Sequence, residues 1–175
     1  YSERGPEIQI AFKSATGWQA DRTKVKFMDV EVGQVTSISV SPDLTHALVK
    51  ARLLADSERY LKDKTRFWVA RPRISATEVT GLETLFSGAY IAIDPVLEGE
   101  SSREFVGLDT PPLVTTSEPG KHFILHATSL GSLNIGSPLF YRSIQAGQVV
   151  SYDLDEDGQG VSIQVFVSAP YDRLV

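Results

Sequence analysis

The chain has 175 residues, 42% of them hydrophobic, with 17 Lys and Arg against 22 Asp and Glu for a formal charge of −5. That is enough apolar material for a packed core, and an acidic chain without runs of like charge argues against nucleic acid as a partner. Cysteine is absent, which excludes a disulfide framework, thiolate catalysis and cysteine metal sites, and no apolar stretch is long enough to cross a bilayer.

In chain order, the opening "YSERGPEIQI" has neither an initiator Met nor a signal peptide, so the chain reads as a piece of a longer protein. The segments "EIQIAF" (7–12), "TKVKFMDVEV" (23–32), "QVTSISV" (34–40) and "HALVKARL" (46–53) alternate, or run β-branched and aromatic, between turn residues. Each is expected to be a strand, with a bulge or tight bend at Gly33. "SERYLKDK" (57–64) reads as a short helix, and "RFWVA" (66–70) and "AYIAI" (89–93) as two more strands. Six or seven short strands in so short a span predict an all-β fold, a small β-barrel or sandwich.

Between the last two strands, "SATEVTGLETLFSGAY" sets Val79, Leu82 and Phe86 at helical spacing, with Leu85 beside them and Gly81 and Gly88 on either side. One reading is a turn of helix tucked against the barrel; the other is an apolar cluster that is exposed in one subunit and meets copies of itself. Arg71 and Arg73 bracket a proline just before it and read either as solvated charge or as a contact for an anionic headgroup or a neighbouring subunit.

The stretch from Asp94 to Gly120 is rich in Pro, Ser, Glu and Gly, and residues 97–119 read as a linker, in which "FVGL" has apolar content enough to dock on a neighbouring surface. Beyond it the chain repeats. "VEVGQV" (30–35) lies over "IQAGQV" (144–149) at an offset of 114 (144 − 30), and the same offset pairs Ile10 with Ile124, Gly17 with Gly131, Val25 with Leu139 and Val49 with Ile163. The organisation expected is a first domain at 5–96, a linker at 97–119 and the front part of a second copy at 120–175. Such a part-domain would expose strand edges and either be poorly ordered or borrow partners.

Candidates for chemistry are few. His122 and His126 could share a strand face but have no third ligand at a recognisable spacing, and the offset sets them over Ile8 and Phe12; His46 stands alone. "DLDEDGQG" (153–160) lacks the spacing of a calcium loop and reads as a hairpin turn, and no serine sits in a nucleophile elbow. The chain reads as a non-enzyme, with no catalytic residue, metal site or cofactor.

Taken together, "GPEIQIAFKSATGWQADRTKVKFMDVEVGQVTSISV", "FWVARPRI", "GLETLFSGAYIAIDP" and "FVGLDTPP" resemble the mammalian cell entry (MCE) domain, in the form it takes in multi-domain bacterial proteins of the paraquat-inducible protein B kind. "GSLNIGSPLFYRSIQAGQVVSYDLDEDG" resembles the start of a second such domain, and Trp18 stands where the family usually has Leu. The resemblance implies a seven-stranded β-barrel that assembles as a homohexameric ring. Rings stack into a tube across the periplasm, anchored in the inner membrane by a helix outside this chain and served by an inner-membrane partner protein, and the tube carries phospholipid. It further implies that Leu82, Leu85 and Phe86 line the channel on a pore loop, with Gly81 and Gly88 letting that loop leave and rejoin the barrel.

Overall fold

The computed structural model describes residues 4–71 and 88–175, which fall into two compact units, Tyr1–Pro111 and Pro112–Val175. In the first unit, β1 (Arg4–Phe12), β2 (Lys24–Phe27), β3 (Val30–Val40), β4 (Ala47–Leu54), β5 (Arg66–Ala70), β6 (Tyr90–Asp94) and β7 (Glu104–Val106) form one sheet in the order β5-β6-β2-β3-β4-β1-β7. The two edge strands meet beyond β7: the N–H of Leu108 donates to the carbonyl of Phe67 at 2.8 Å, and Leu108 bridges to Trp68 in parallel. The result is the nearly closed, seven-stranded barrel expected for the fold class.

Alternation decides what lies inside. Ile8, Ile10 and Phe12 on β1, Val49, Ala51 and Leu53 on β4, and Phe67, Ile91, Ile93 and Phe105 from the strands that complete the barrel are all buried. Burying each large side chain contributes about 1.5–3 kcal/mol, so the period-two pattern is the main force that sets strand register. Phe105 belongs to the stretch read as a linker; its ring lies 4.8 Å from that of Phe67, and β7 pairs in parallel with β1 through Gln9, Ile10 and Ala11.

Two local readings change. "TKVKFMDVEV" is not one strand: Met28 (φ 50°) and Asp29 (φ 64°) turn the chain between β2 and β3. Both central residues have positive φ, the geometry whose twist suits a two-residue hairpin, but the turn lacks the Asn-Gly pair that usually announces it. "SERYLKDK" forms a 3-10 turn over Ala55–Tyr60 rather than a helix running to Lys64. The irregularity expected at Gly33 is present, with Val32 skipped in the β2–β3 register. A Cβ on Gly33 would lie 2.8 Å from the Arg52 carbonyl oxygen, so the strands approach too closely there for a side chain.

In the second unit β8 (Gly120–Ala127), β9 (Pro138–Tyr141), β10 (Ile144–Leu154) and β11 (Val161–Ser168) form a sheet in the order β8-β11-β10-β9, the counterpart of β1-β4-β3-β2. β9, β10 and β11 begin and end 114 residues after β2, β3 and β4 (138 − 24), and the hairpin turn recurs at Arg142 and Ser143, both with positive φ. This unit, read from the sequence as a part-domain that would be poorly ordered or borrow partners, lays out these four strands in the same order. It leaves apolar side chains open, Leu125 at 47% and Phe140 at 64% exposure among them.

β8 does not keep the offset of 114. Phe123 pairs with Val165, whereas Ile8 pairs with Ala51, the residue equivalent to Val165, so this strand is displaced by 115 (123 − 8). The connection into β9 is one residue shorter than its counterpart, and a one-residue slip exchanges the two faces of a strand. Ile10 therefore corresponds to Leu125, not Ile124, and His122 and His126 correspond to Glu7 and Ala11, not to Ile8 and Phe12.

Candidate functional site

Strands β5 and β6 flank the segment that carries the residues expected from the sequence to line a pore. At the open end of this strand pair Asp94, 1% exposed, accepts from the Arg66 guanidinium at 2.5 Å, and Thr65 Oγ1 accepts the N–H of Val96 at 3.2 Å while donating to the Tyr60 carbonyl at 2.5 Å. At the other end Ala70 pairs with Tyr90, and the Lys26 ammonium stands 4.8 Å from the Tyr90 ring. Arg71 and Gly88 follow and precede these strands, so the intervening segment leaves and returns at one end of the barrel. Leu82, Leu85, Phe86, Gly81 and Arg73 lie outside the described residues.

The same end of the barrel holds a cleft of about 850 Å3, lined by Phe12, Trp18, Val69, Leu108 and Pro111 with Lys13, Ser14, Thr16, Arg71 and Asp109. Phe12 anchors its floor. The Trp18 ring meets it edge-on at 4.7 Å, and on another side the backbone of Gly107 comes so close that a Cβ there would lie 2.2 Å from Phe12 Cε1. The polar groups are mostly matched: Lys13 Nζ donates to Asp109 Oδ2 at 2.8 Å, and the Ser14 and Thr16 hydroxyls bond to each other at 2.7 Å. Among the described residues the exposed Arg71 guanidinium makes no ion pair, and the buried Trp18 Nε1–H has no acceptor. The sequence singles out Arg71, and marks Trp18 only as standing where the family usually has Leu. It does not mark Lys13, Leu108 and Asp109, which carry no motif and meet only through barrel closure.

The histidines do structural work. His46 Nδ1 is 2.7 Å from Thr45 Oγ1, His126 Nδ1 is 3.1 Å from Ser162 Oγ, and the His122 ring lies 4.9 Å from that of Phe166. Among the described residues no three His, Asp or Glu gather as a metal site would need. Asp153–Gly160 spans the hairpin joining β10 to β11, where Asp155 and Gly160 close the loop at 2.8 Å. In the β3–β4 turn, Ser41 Oγ donates to Asp43 at 2.5 Å and Thr45 Oγ1 at 2.7 Å, and these hydroxyls hold its carboxyl down at a pKa of about 2. No described helix is long and apolar enough to cross a membrane.

Comparison with known proteins gives a consistent assignment. The family profile described as "MlaD protein" matches residues 4–96 and 119–175. The lipophilic envelope-spanning tunnel protein B of Escherichia coli K12 is 38% identical over the whole chain, and a probable intermembrane transport protein of Haemophilus influenzae is 27% identical over 99% of it. The chain spans 20% and 19% of the lengths of these two relatives. A solved chain from the Acinetobacter MlaFEDB complex aligns with 64% of this chain and 78% of its own length at 17% identity and a TM-score of 0.43, too loose a likeness to carry an argument. The profile covers most of the chain and falls on both copies of the repeat, and on that ground the chain belongs to the MlaD, or MCE, family.

Proposed function

We propose that this chain is part of a non-enzymatic lipid-transport protein of the bacterial envelope. Its MCE units would build homohexameric rings that stack into a tunnel carrying phospholipids or other hydrophobic molecules across the periplasm between the inner and outer membranes, so maintaining the envelope. Residues 5–96 form the first unit, closed by Glu104–Leu108 from the stretch 97–119 that links it to 120–175, the front part of the second. Leu82, Leu85 and Phe86 line the channel, Gly81 and Gly88 are the points where the loop leaves and rejoins the barrel, and an anchor outside this chain holds the tunnel to the inner membrane beside a partner protein. The observation that carries this reading is the end-to-end similarity, 38% identity over 175 residues, to a protein named as a lipophilic envelope-spanning tunnel. A ring of Leu and Phe also suits the task, because it solvates acyl chains without hydrogen bonds that would hold the cargo.

The test is photocrosslinking in cells with the probe at position 85 of the full-length parent protein and a control probe at the exposed Glu58. Phospholipid adducts at 85 and none at 58 are the expected result. Adducts only to the same subunit's barrel would return Leu85 to the core, and adducts to a foreign protein would make the chain a periplasmic scaffold instead.

A further inference from the structure

We propose that the cleft at the end of the first barrel is a binding site for an amphiphile that carries an oxyanion, a phosphate or carboxylate group on an apolar body. The proposal deepens the lipid-carrying reading and rests on it only for the expectation that amphiphiles reach this surface.

Three observations converge. The cleft, at about 850 Å3, falls within the range of sites that hold a small molecule, and its walls of Phe12, Trp18, Val69, Leu108 and Pro111 suit methylene groups. Its charges leave a surplus: Lys13 is matched by Asp109, while Arg71 makes no ion pair among the described residues. A guanidinium is the side chain best fitted to a planar or tetrahedral oxyanion, which it binds through paired N–H donors. Finally, the Trp18 indole N–H is shut away without an acceptor in a side chain only 7% exposed. A buried donor left unpaired is costly, and a ligand oxygen that came within reach of it would relieve that cost. Both unmatched groups are donors, so the missing partner is an acceptor, and the apolar walls indicate what the acceptor is attached to.

The position suits the chemistry. Arg71 is the last described residue before the segment that carries Leu82, Leu85 and Phe86, so a headgroup held here would sit beside the root of the loop proposed to line the channel.

The experiment is an NMR titration of the whole 175-residue chain, following its two indole N–H resonances, with the Trp18 signal identified by its loss in Trp18→Phe. The probes are octyl phosphate, 1-octanol and inorganic phosphate. Octyl phosphate is expected to shift the Trp18 signal saturably and to bind at least tenfold more tightly than either of the others, and Arg71→Gln is expected to weaken it at least fivefold. Because Arg71 is exposed, that variant should keep the wild-type spectrum elsewhere, which separates lost binding from lost fold.

No saturable shift with octyl phosphate, or a shift that Arg71→Gln leaves unchanged, overturns the proposal. Inorganic phosphate binding as tightly as octyl phosphate overturns the amphiphile, and octanol doing so overturns the oxyanion. Self-association that depends on Arg71, with no octyl phosphate binding, would make the cleft a contact between copies instead. The crosslinking at position 85 is independent of these outcomes: lipid adducts there with no binding here would sink this site alone, and binding here without adducts there would sink the channel reading alone.

Discussion

The carbonyl of Phe67 on β5 receives the N–H of Leu108 at 2.8 Å, and this contact, with the parallel bridge between Trp68 and Leu108, joins the two edges of the seven-stranded sheet. Leu108 and β7 lie beyond residue 96, where the family profile leaves the first unit. Closure therefore depends on a stretch whose composition reads as linker, held there by Phe105 against Phe67 and by Gly107 against Phe12.

Gly107→Ala tests that dependence. The added Cβ would lie 2.2 Å from the Phe12 ring, and Phe12 is 3% exposed and wedged against Trp18, so the ring has little room to move. Overpacking of this kind costs about 1–3 kcal/mol, to be read as a lowered urea midpoint for the first unit. An unchanged midpoint would mean that the strap is not part of the cooperative barrel.

The displaced register of β8 makes a contrasting pair of variants. Phe123 packs on Val149, Ile163 and Val165, whereas Ile124 is 64% exposed on the opposite face. Phe123→Ser should destabilise the second unit by about 2–4 kcal/mol, and Ile124→Ser by less than about 0.5 kcal/mol. Thermal melting of the two variants decides between the offsets, since an offset of 114 reverses the order.

Asp43 supplies a pH dependence. Its carboxyl is held at about 2, below its ordinary value of 3.8, first by the Ser41 hydroxyl and then by Thr45. A depressed carboxylate stabilises the folded state above its ordinary pKa, and the contribution fades as pH falls from about 4 through 2. Wild type and Asp43→Asn should therefore differ most in Tm near neutral pH and converge toward pH 2. The effect is small, because the group is fully exposed to solvent. A gap that widens on acidification would contradict the sign.

Leu85→Asp and Phe67→Ala separate a channel wall from a core. Phe67 is fully buried, and its truncation should cost about 3–5 kcal/mol. If Leu85 lines a channel between subunits, Leu85→Asp should leave the melting of this chain within about 0.5 kcal/mol of wild type while abolishing transport by the full-length protein. A loss of several kcal/mol from Leu85→Asp would place that side chain in the barrel core.

Much of the fold was legible because it rests on period two. The alternation of Ile8, Ile10 and Phe12, and of Val49, Ala51 and Leu53, is a local pattern that needs no partner to be read, and the repeat at 114 preserves it over β9, β10 and β11. The two strands β5 and β6 were legible on the same terms, while the segment between them lies outside the described residues.

What escaped the sequence depends on contacts between distant residues or on backbone states with weak signatures. Met28 and Asp29 turn the chain without a glycine, and the slip of β8 comes from a shorter connection that a one-dimensional alignment absorbs without a mark. The sequence by itself determined the strands and the repeat, because local patterning selects faces, whereas Leu82, Leu85 and Phe86 lie outside the described residues. Only the tertiary structure decided that Glu104–Leu108 closes the barrel and that Lys13, Trp18, Arg71 and Asp109 share one cleft, because closure brings together groups that no local pattern links.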